Sequence, residues 1–300
     1  MSLLRGVEVW IPQGSYLLRS SAAYAAEGTK VEAVPSPLLH RGEGVAGAAF
    51  SSGRAQIVSG EALTAHGPFE TAVALPFFAG STLLAITVLW CAAGPGAAAG
   101  CVELWEPNQL RELAHAGGYY ADFAALERLS RVMRFQVGSG IPGITWERGI
   151  PLITPDLGSS TSFLRAAAAR ELGIHSALSM PLYRSGSVNA VAMFMSTGAA
   201  PLARGVEIWM ADAQQHLRIS QAAYEPALAT FAQNNRSVEF LPGHGLVGRV
   251  FDAALPLALE HKKGDVFSGH VGAEDAGLTL ALGLPIHDGR QVRAVVTLLA

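Results

Sequence analysis

The chain is short of charge. Lys, Arg, Asp and Glu make up 15% of its 300 residues, where a soluble domain averages about 25%. Neither sign dominates, with 21 basic and 24 acidic residues and a net charge of −3. Such a surface offers no field for a phosphate backbone, which excludes nucleic acid as a partner. Cysteine is scarce too. Cys91 and Cys101 are too few for a disulfide framework and read as two thiols in a reducing cytoplasm, flanking the linker "AAGPGAAAG" and able to face each other. Metal-ligand spacing is absent: His261, Asp265 and His270 are too spread for a compact site, and they and His244 read as solvated loop residues. No G-x-S-x-G nucleophile elbow occurs. No secretion signal is expected, because Met1 to Arg5 runs straight into a strand.

Apolar and small residues are plentiful, half of the chain being hydrophobic and 33 residues being glycine. Apolar surface on this scale has to be covered. The uncharged run from Thr71 to Val102 is long enough to cross a bilayer. Repeats decide how to read it. Val7-Glu8-Val9-Trp10 returns as Val102-Glu103-Leu104-Trp105 and as Val206-Glu207-Ile208-Trp209. The spacing G-x-G-x-x-G occurs at Gly42-Gly44-Gly47, Gly138-Gly140-Gly143 and Gly243-Gly245-Gly248. An apolar residue before proline follows in each copy, as Leu75-Pro76, Met180-Pro181 and Leu284-Pro285. The chain therefore reads as three copies of one unit, 1–94, 101–198 and 205–300, the first shortened in its second half. Alignment lays the apolar run over the plain hairpins "LYRSGSVNAVAMFM" and "IHDGRQVRAVVTLL", which makes it a buried hairpin rather than a membrane helix.

Within the second copy, "CVELWEP", "RVMRFQV" and "GIPLITPD" read as strands. The glycine motif is not expected to open the helix that a dinucleotide loop needs, since Gly149 and Pro151 lie where that helix would run. Ser160, Thr161 and Ser162 offer caps for a helix in "FLRAAAARELG", and "HSALSMPLYRSGSVNAVAMFMS" is a hairpin. The sum is an α+β unit, an antiparallel sheet with helices and a long loop on one face.

The order of strand with Trp, "GSGIPGITWERGIPLITPDL", "FLRAAAARELGIHSALSMPLY" and "VNAVAMFMS" resembles a GAF domain, a PAS-like fold. The likeness covers nearly all of the second copy and most of the third, "EFLPGHGLVGRVFDAALPLAL" included, and the first more loosely. It implies that the glycines shape a turn leading into the ligand-side loop. It also marks a departure. The helices that flank GAF sheets are missing, and only "GPGAAAG" and "TGAAPLARG" join the copies, so the sheet backs are expected to pack on one another or on a second chain, in a homo-oligomer or against a protein partner. The run Gly-Leu-Val-Gly-Arg-Val-Phe also resembles the GAF-like region of plant nodule-inception-like regulators, without their basic segment.

The resemblance places a pocket between sheet and loop, and in the second copy its lining would be Trp146, Asp156, Phe163 and Arg165, with Met180 and Tyr183 on the strand below. An aromatic, a carboxylate and a guanidinium around one groove suit a small polar or heterocyclic ligand of unknown identity. The same residues also suit a core, a cap and an ion pair. No cofactor is named by the sequence. GAF-like free methionine sulfoxide reductases need pocket cysteines, bilin attachment needs one, and neither these nor a cyclic-nucleotide signature is seen. No kinase, cyclase, phosphodiesterase or DNA-binding pattern occurs. The expectation is a non-catalytic sensory or regulatory protein acting through a partner in trans; the alternative is a structural or interaction module whose pockets are filled.

Overall fold

The computed structural model describes residues 2–24, 37–60, 63, 69–91, 100–261 and 269–300. The first unit comprises β1 (Leu4–Gln13), β2 (Tyr16–Tyr24), β3 (Leu38–His40), α1 (Gly44–Ser52), β4 (Gln56–Ser59), β5 (Thr71–Ala79) and β6 (Thr82–Cys91). The second has β7 (Gly100–Pro107), β8 (Leu113–Tyr119), α2 (Ala124–Val132), β9 (Arg134–Phe135), α3 (Gly140–Arg148), β10 (Leu152–Thr154), α4 (Ala166–Glu171), β11 (Ile174–Arg184) and β12 (Ser187–Thr197). The third has β13 (Gly205–Ala211), β14 (Leu217–Tyr224), α5 (Ala229–Asn235), α6 (Gly245–Ala253), β15 (Leu257–Glu260), β16 (Leu280–His287) and β17 (Val292–Leu299). Three antiparallel sheets result, ordered β3-β2-β1-β6-β5-β4, β10-β11-β12-β7-β8-β9 and β14-β13-β17-β16-β15. This is an α+β fold in three units.

Each sheet is curled at matching places. The register slips at Val9/Trp10, Leu104/Trp105 and Ile208/Trp209, and again at Phe77/Phe78, Leu182/Tyr183 and Ile286/His287. An extra residue at each slip sharpens the twist and wraps the sheet around its tryptophan. The apolar run after Thr71 is the hairpin β5–β6, and among the described residues no helix is long and apolar enough to cross a membrane. The linker 92–99, the loop that holds Asp265 and most of the shortened stretch after Ser59 lie outside the described residues.

Three readings of local structure differ from expectation. The glycine motif does open a helix in every unit, α1, α3 and α6, because Gly149 is not inside α3 but caps it in the left-handed region at φ 61°. The third glycine is needed for the tight return that precedes the helix: a Cβ on Gly143 would stand 2.2 Å from the Gln136 carbonyl oxygen, and one on Gly47 or Gly248 would meet His40 or Leu241 in the same way. "RVMRFQV" is the last two residues of α2 followed by the two-residue strand β9; the longer second strand is β8. No serine hydroxyl caps α4, which begins after Arg165.

The sheet backs pack on one another. One continuous core takes Val7, Val9 and Leu75 from the first unit, Leu104, Leu178 and Met180 from the second, and Ile208, Leu282 and Leu284 from the third. Each such side chain contributes roughly 1.5–3 kcal/mol when fully buried, which fixes the units together without flanking helices. The arrangement is cyclic. β4 lies beside β8, β10 beside β14 and β15 beside β2, so each unit sets one short edge strand against the next. Ile153 N–H donates to Gln221 Oε1 at 3.0 Å, and at the matching place Ala258 N–H donates to Ser21 Oγ at 3.2 Å. The third equivalent position on the receiving strand is Gly117, opposite Leu104, which has no side chain to accept. At one end of the axis the three β-hairpin turns meet, Ser185 N–H donating to the Gly80 carbonyl at 2.6 Å, and a Cβ on Gly289 (φ 94°) would lie 3.3 Å from Gly186 and 3.4 Å from Gly80.

Candidate functional site

The outer face of each sheet, under its helix, is where the resemblance puts a pocket. In every unit that space holds a buried glutamate two residues before the tryptophan, so that both side chains point outward from the same strand. Glu103 and Trp105 show the arrangement in full. Trp105 Nε1 donates to Glu103 Oε2 at 3.0 Å and Arg165 Nη2 to the same oxygen at 2.9 Å. Oε1 takes the Tyr120 hydroxyl at 3.0 Å, the Ser130 hydroxyl at 2.7 Å and Arg165 Nη1. Five donors meet one carboxylate, and its lone pairs are spent. Burial acts to raise the Glu103 carboxyl, but the Arg165 charge and these hydrogen bonds outweigh it and hold the group below the usual carboxylate range.

Matching networks use different partners. In the third unit Glu207 accepts from Trp209 Nε1 at 2.9 Å, Thr297 Oγ1 at 2.5 Å and Tyr224 at 2.6 Å, with His270 Nε2 at 3.0 Å. Burial again pushes this carboxyl up, and His270, Thr297 and Tyr224 together bring it below its ordinary value. In the first unit Glu8 accepts from Trp10 Nε1 at 3.1 Å, from Tyr24 and from the part-exposed Arg19 at 3.4 Å. The space left there, under α1 and beside Trp90, is about 30 Å³.

Of the six expected site residues the structure gathers Arg165, Phe163 and Trp146 in one outer core and places Asp156, Met180 and Tyr183 elsewhere. Arg165 is buried against Glu103 rather than aimed into a groove, with its guanidinium 4.8 Å from the Phe163 ring centre and 5.6 Å from that of Trp105. Phe163 belongs to the same outer core, and Trp146 packs half-buried at its edge. Asp156 is exposed and caps its own turn, taking the Ser159 hydroxyl at 2.6 Å; this bond, with the backbone of the turn, lowers its pKa. Met180 lies on the opposite face of the sheet, in the core shared by the units, because alternation along β11 sends even-numbered residues inward there. Tyr183 sits at the sheet end and donates to the Gly149 carbonyl at 3.0 Å. The glutamates were missed as site residues, although each stood inside the repeated Val-Glu-x-Trp.

The cysteines are strand residues, at the end of β6 and the start of β7, and not part of a linker. Both are buried and unpaired. Burial pushes the Cys91 thiol up to about 12, and burial with the Glu103 charge raises Cys101 well above its usual value. Burial thus favours the neutral thiol at both positions. His270 is held by Glu207 and His261 lies 3.9 Å from Glu274; among the described residues no three potential metal ligands are gathered.

Open space lies elsewhere. Between the second and third units is a cleft of about 380 Å³, walled by Leu178, Phe194 and Val206 and rimmed by His175 and Glu225.

No family model matches the chain and no curated protein does either. Solved structures match about one unit of it. The GAF domain/HD domain protein from Geobacter sulfurreducens is 16% identical over 34% of this chain and 65% of its own, with a TM-score of 0.29. The A. aeolicus nlh2 GAF domain is 24% identical over 34% and 59%, at 0.27. Free methionine-R-sulfoxide reductase from Neisseria meningitidis is 18% identical over 32% and 51%, at 0.26. The chain thus spans between half and two thirds of the length of these proteins, which include both GAF domains and an enzyme.

Proposed function

We propose that this chain is a non-catalytic interaction module: three GAF-like units closed into one body, which acts through what docks on its surface. The observation that carries this reading is the saturated Glu103 carboxylate, whose Arg165, Trp105, Tyr120 and Ser130 partners fill the outer space of the second unit with the chain's own groups. A small ligand there would have to displace a buried ion pair, which costs several kcal/mol. The raised thiols argue against redox chemistry. Surface character supports docking on the second unit, since Leu110, Leu129, Val132, Val137 and Leu164 are five of the eight exposed large apolar residues among those described.

The test is native mass spectrometry of the chain carrying Ala223→Tyr, which blocks the cleft between the second and third units. The bare polypeptide mass is expected. A small molecule that remains bound in this variant, and leaves when Arg165 is replaced by Met, would restore the sensory reading and end this one.

A further inference from the structure

Two junctions that match in backbone differ in what fills them. At the first, Tyr119 on β8 reaches across to the neighbouring unit and donates its hydroxyl to Glu70 Oε2 at 2.6 Å. Only about 30 Å³ remains beside it, next to Thr71, Cys91 and Val102. Strand register identifies the same places at the second junction. Tyr119 is opposite Val102 as Ala223 is opposite Val206, and Thr71 is opposite Cys91 as Ser176 is opposite Ser196. His175, just before Ser176, stands where Glu70 receives the tyrosine hydroxyl. With alanine in place of the aromatic ring, the cleft stays open at about 380 Å³, within the roughly 300–1,000 Å³ of small-molecule sites.

We infer that this cleft is a binding site for a small uncharged phenol, whose ring takes the place that Tyr119 occupies at the neighbouring junction. The walls from Leu178, Phe194 and Val206 are apolar and suit a ring. The polar capacity lies in hydroxyls at one end. Thr197 Oγ1 accepts from Ala200 N–H at 3.3 Å and keeps its own O–H, the Tyr224 hydroxyl donates to Glu207, and Ser176 Oγ and Ser196 Oγ, 3.1 Å apart, bond to each other and keep one donor and further lone pairs between them. That pair, next to the His175 imidazole, meets a phenol hydroxyl as acceptor and donor. The one carboxylate on the rim, Glu225, is paired with Arg204 Nε at 2.5 Å. An ionised ligand would therefore lose its hydration without gaining a free counter-charge. The site is independent of the three filled outer sites.

Calorimetric titration of the intact chain with 4-methylphenol tests this. Saturable binding of one molecule per chain is expected, with toluene weaker by about tenfold or more because a site that hydrogen-bonds a hydroxyl rejects the analogue lacking it. Ala223→Tyr should abolish binding while keeping the melting temperature at or above that of the parent. If that variant fails to fold, Ala223→Leu takes its place with the same expected loss. Absence of saturable binding, toluene affinity equal to that of the phenol, or affinity unchanged in a folded Ala223 variant would each overturn the assignment.

Discussion

Replacing Arg165 by Met tests the saturated carboxylate directly. The substitution keeps an apolar stem beside Phe163 and Trp105 but leaves Glu103 buried without its cation. Breaking a buried pair by removing one partner costs about 3–5 kcal/mol. Glu103 keeps its bonds from Trp105, Tyr120 and Ser130, which puts the expected cost near the lower end, about 3 kcal/mol. Removing the charge as well, in Glu103→Gln with Arg165→Met, should return stability to within about 1 kcal/mol of the parent, since no uncompensated ion remains. Urea unfolding followed by tryptophan fluorescence measures both. The pH dependence has a definite sign. Because Arg165 and the hydrogen bonds hold the Glu103 carboxyl below its usual value, its contribution is complete above the ordinary range of about 4.3. It is lost as pH falls through the lower folded value. Without Arg165, burial is less opposed and the carboxyl titrates higher, so the deficit of the single variant should shrink on acidification. A cost under 1 kcal/mol at neutral pH, a double variant as unstable as the single one, or a deficit that widens toward acid would refute this account.

Other substitutions probe the fold. Gly143→Ala forces a methyl to within 2.2 Å of the Gln136 carbonyl oxygen and should lower stability by at least about 2 kcal/mol in urea unfolding, a strain cost. Gly117→Gln puts an acceptor at the one junction that lacks it, into space where no atom lies within 4 Å; a gain of about 1 kcal/mol is expected from the bond and the stiffer strand, visible as a higher melting temperature. Cys91 and Cys101, buried and raised in pKa, should react with a thiol-specific reagent at pH 7 only after unfolding by denaturant.

How much of this was legible in the sequence depended on whether a residue's partner was local. The β5–β6 hairpin could be read because its turn, Gly80-Ser81, aligned with charged turns in the other copies. The packing of sheet backs could be anticipated from what was missing, charge and flanking helices. The helix after each glycine motif was lost by taking Gly149 as a breaker inside the helix when it is the residue that ends it. Periodicity also misled at "RVMRFQV", where the apolar residues are spaced for a helix end and a two-residue strand. The candidate site was least legible. Arg165 was singled out, but its partner Glu103 lies 62 positions away, and no local pattern shows that a guanidinium turns inward. Met180 was set at the pocket by the resemblance, and strand alternation alone, which gives two classes of residue without naming which faces the helix, could not correct it.

The three edge-to-neighbour contacts are closed within one polypeptide, and this changes what holds them. In an assembly of separate subunits, dilution would weaken such contacts. Here each unit meets the next at an effective concentration set by short linkers, independent of how much protein is present. Stability should therefore not vary with protein concentration, in contrast to obligate oligomers. Nor must the contacts be alike. An interface repeated by symmetry carries each substitution everywhere at once, whereas a tethered ring can hold Gly117 and Tyr119 at one seam and Gln221 and Ala223 at the next, each seam altered without touching the other.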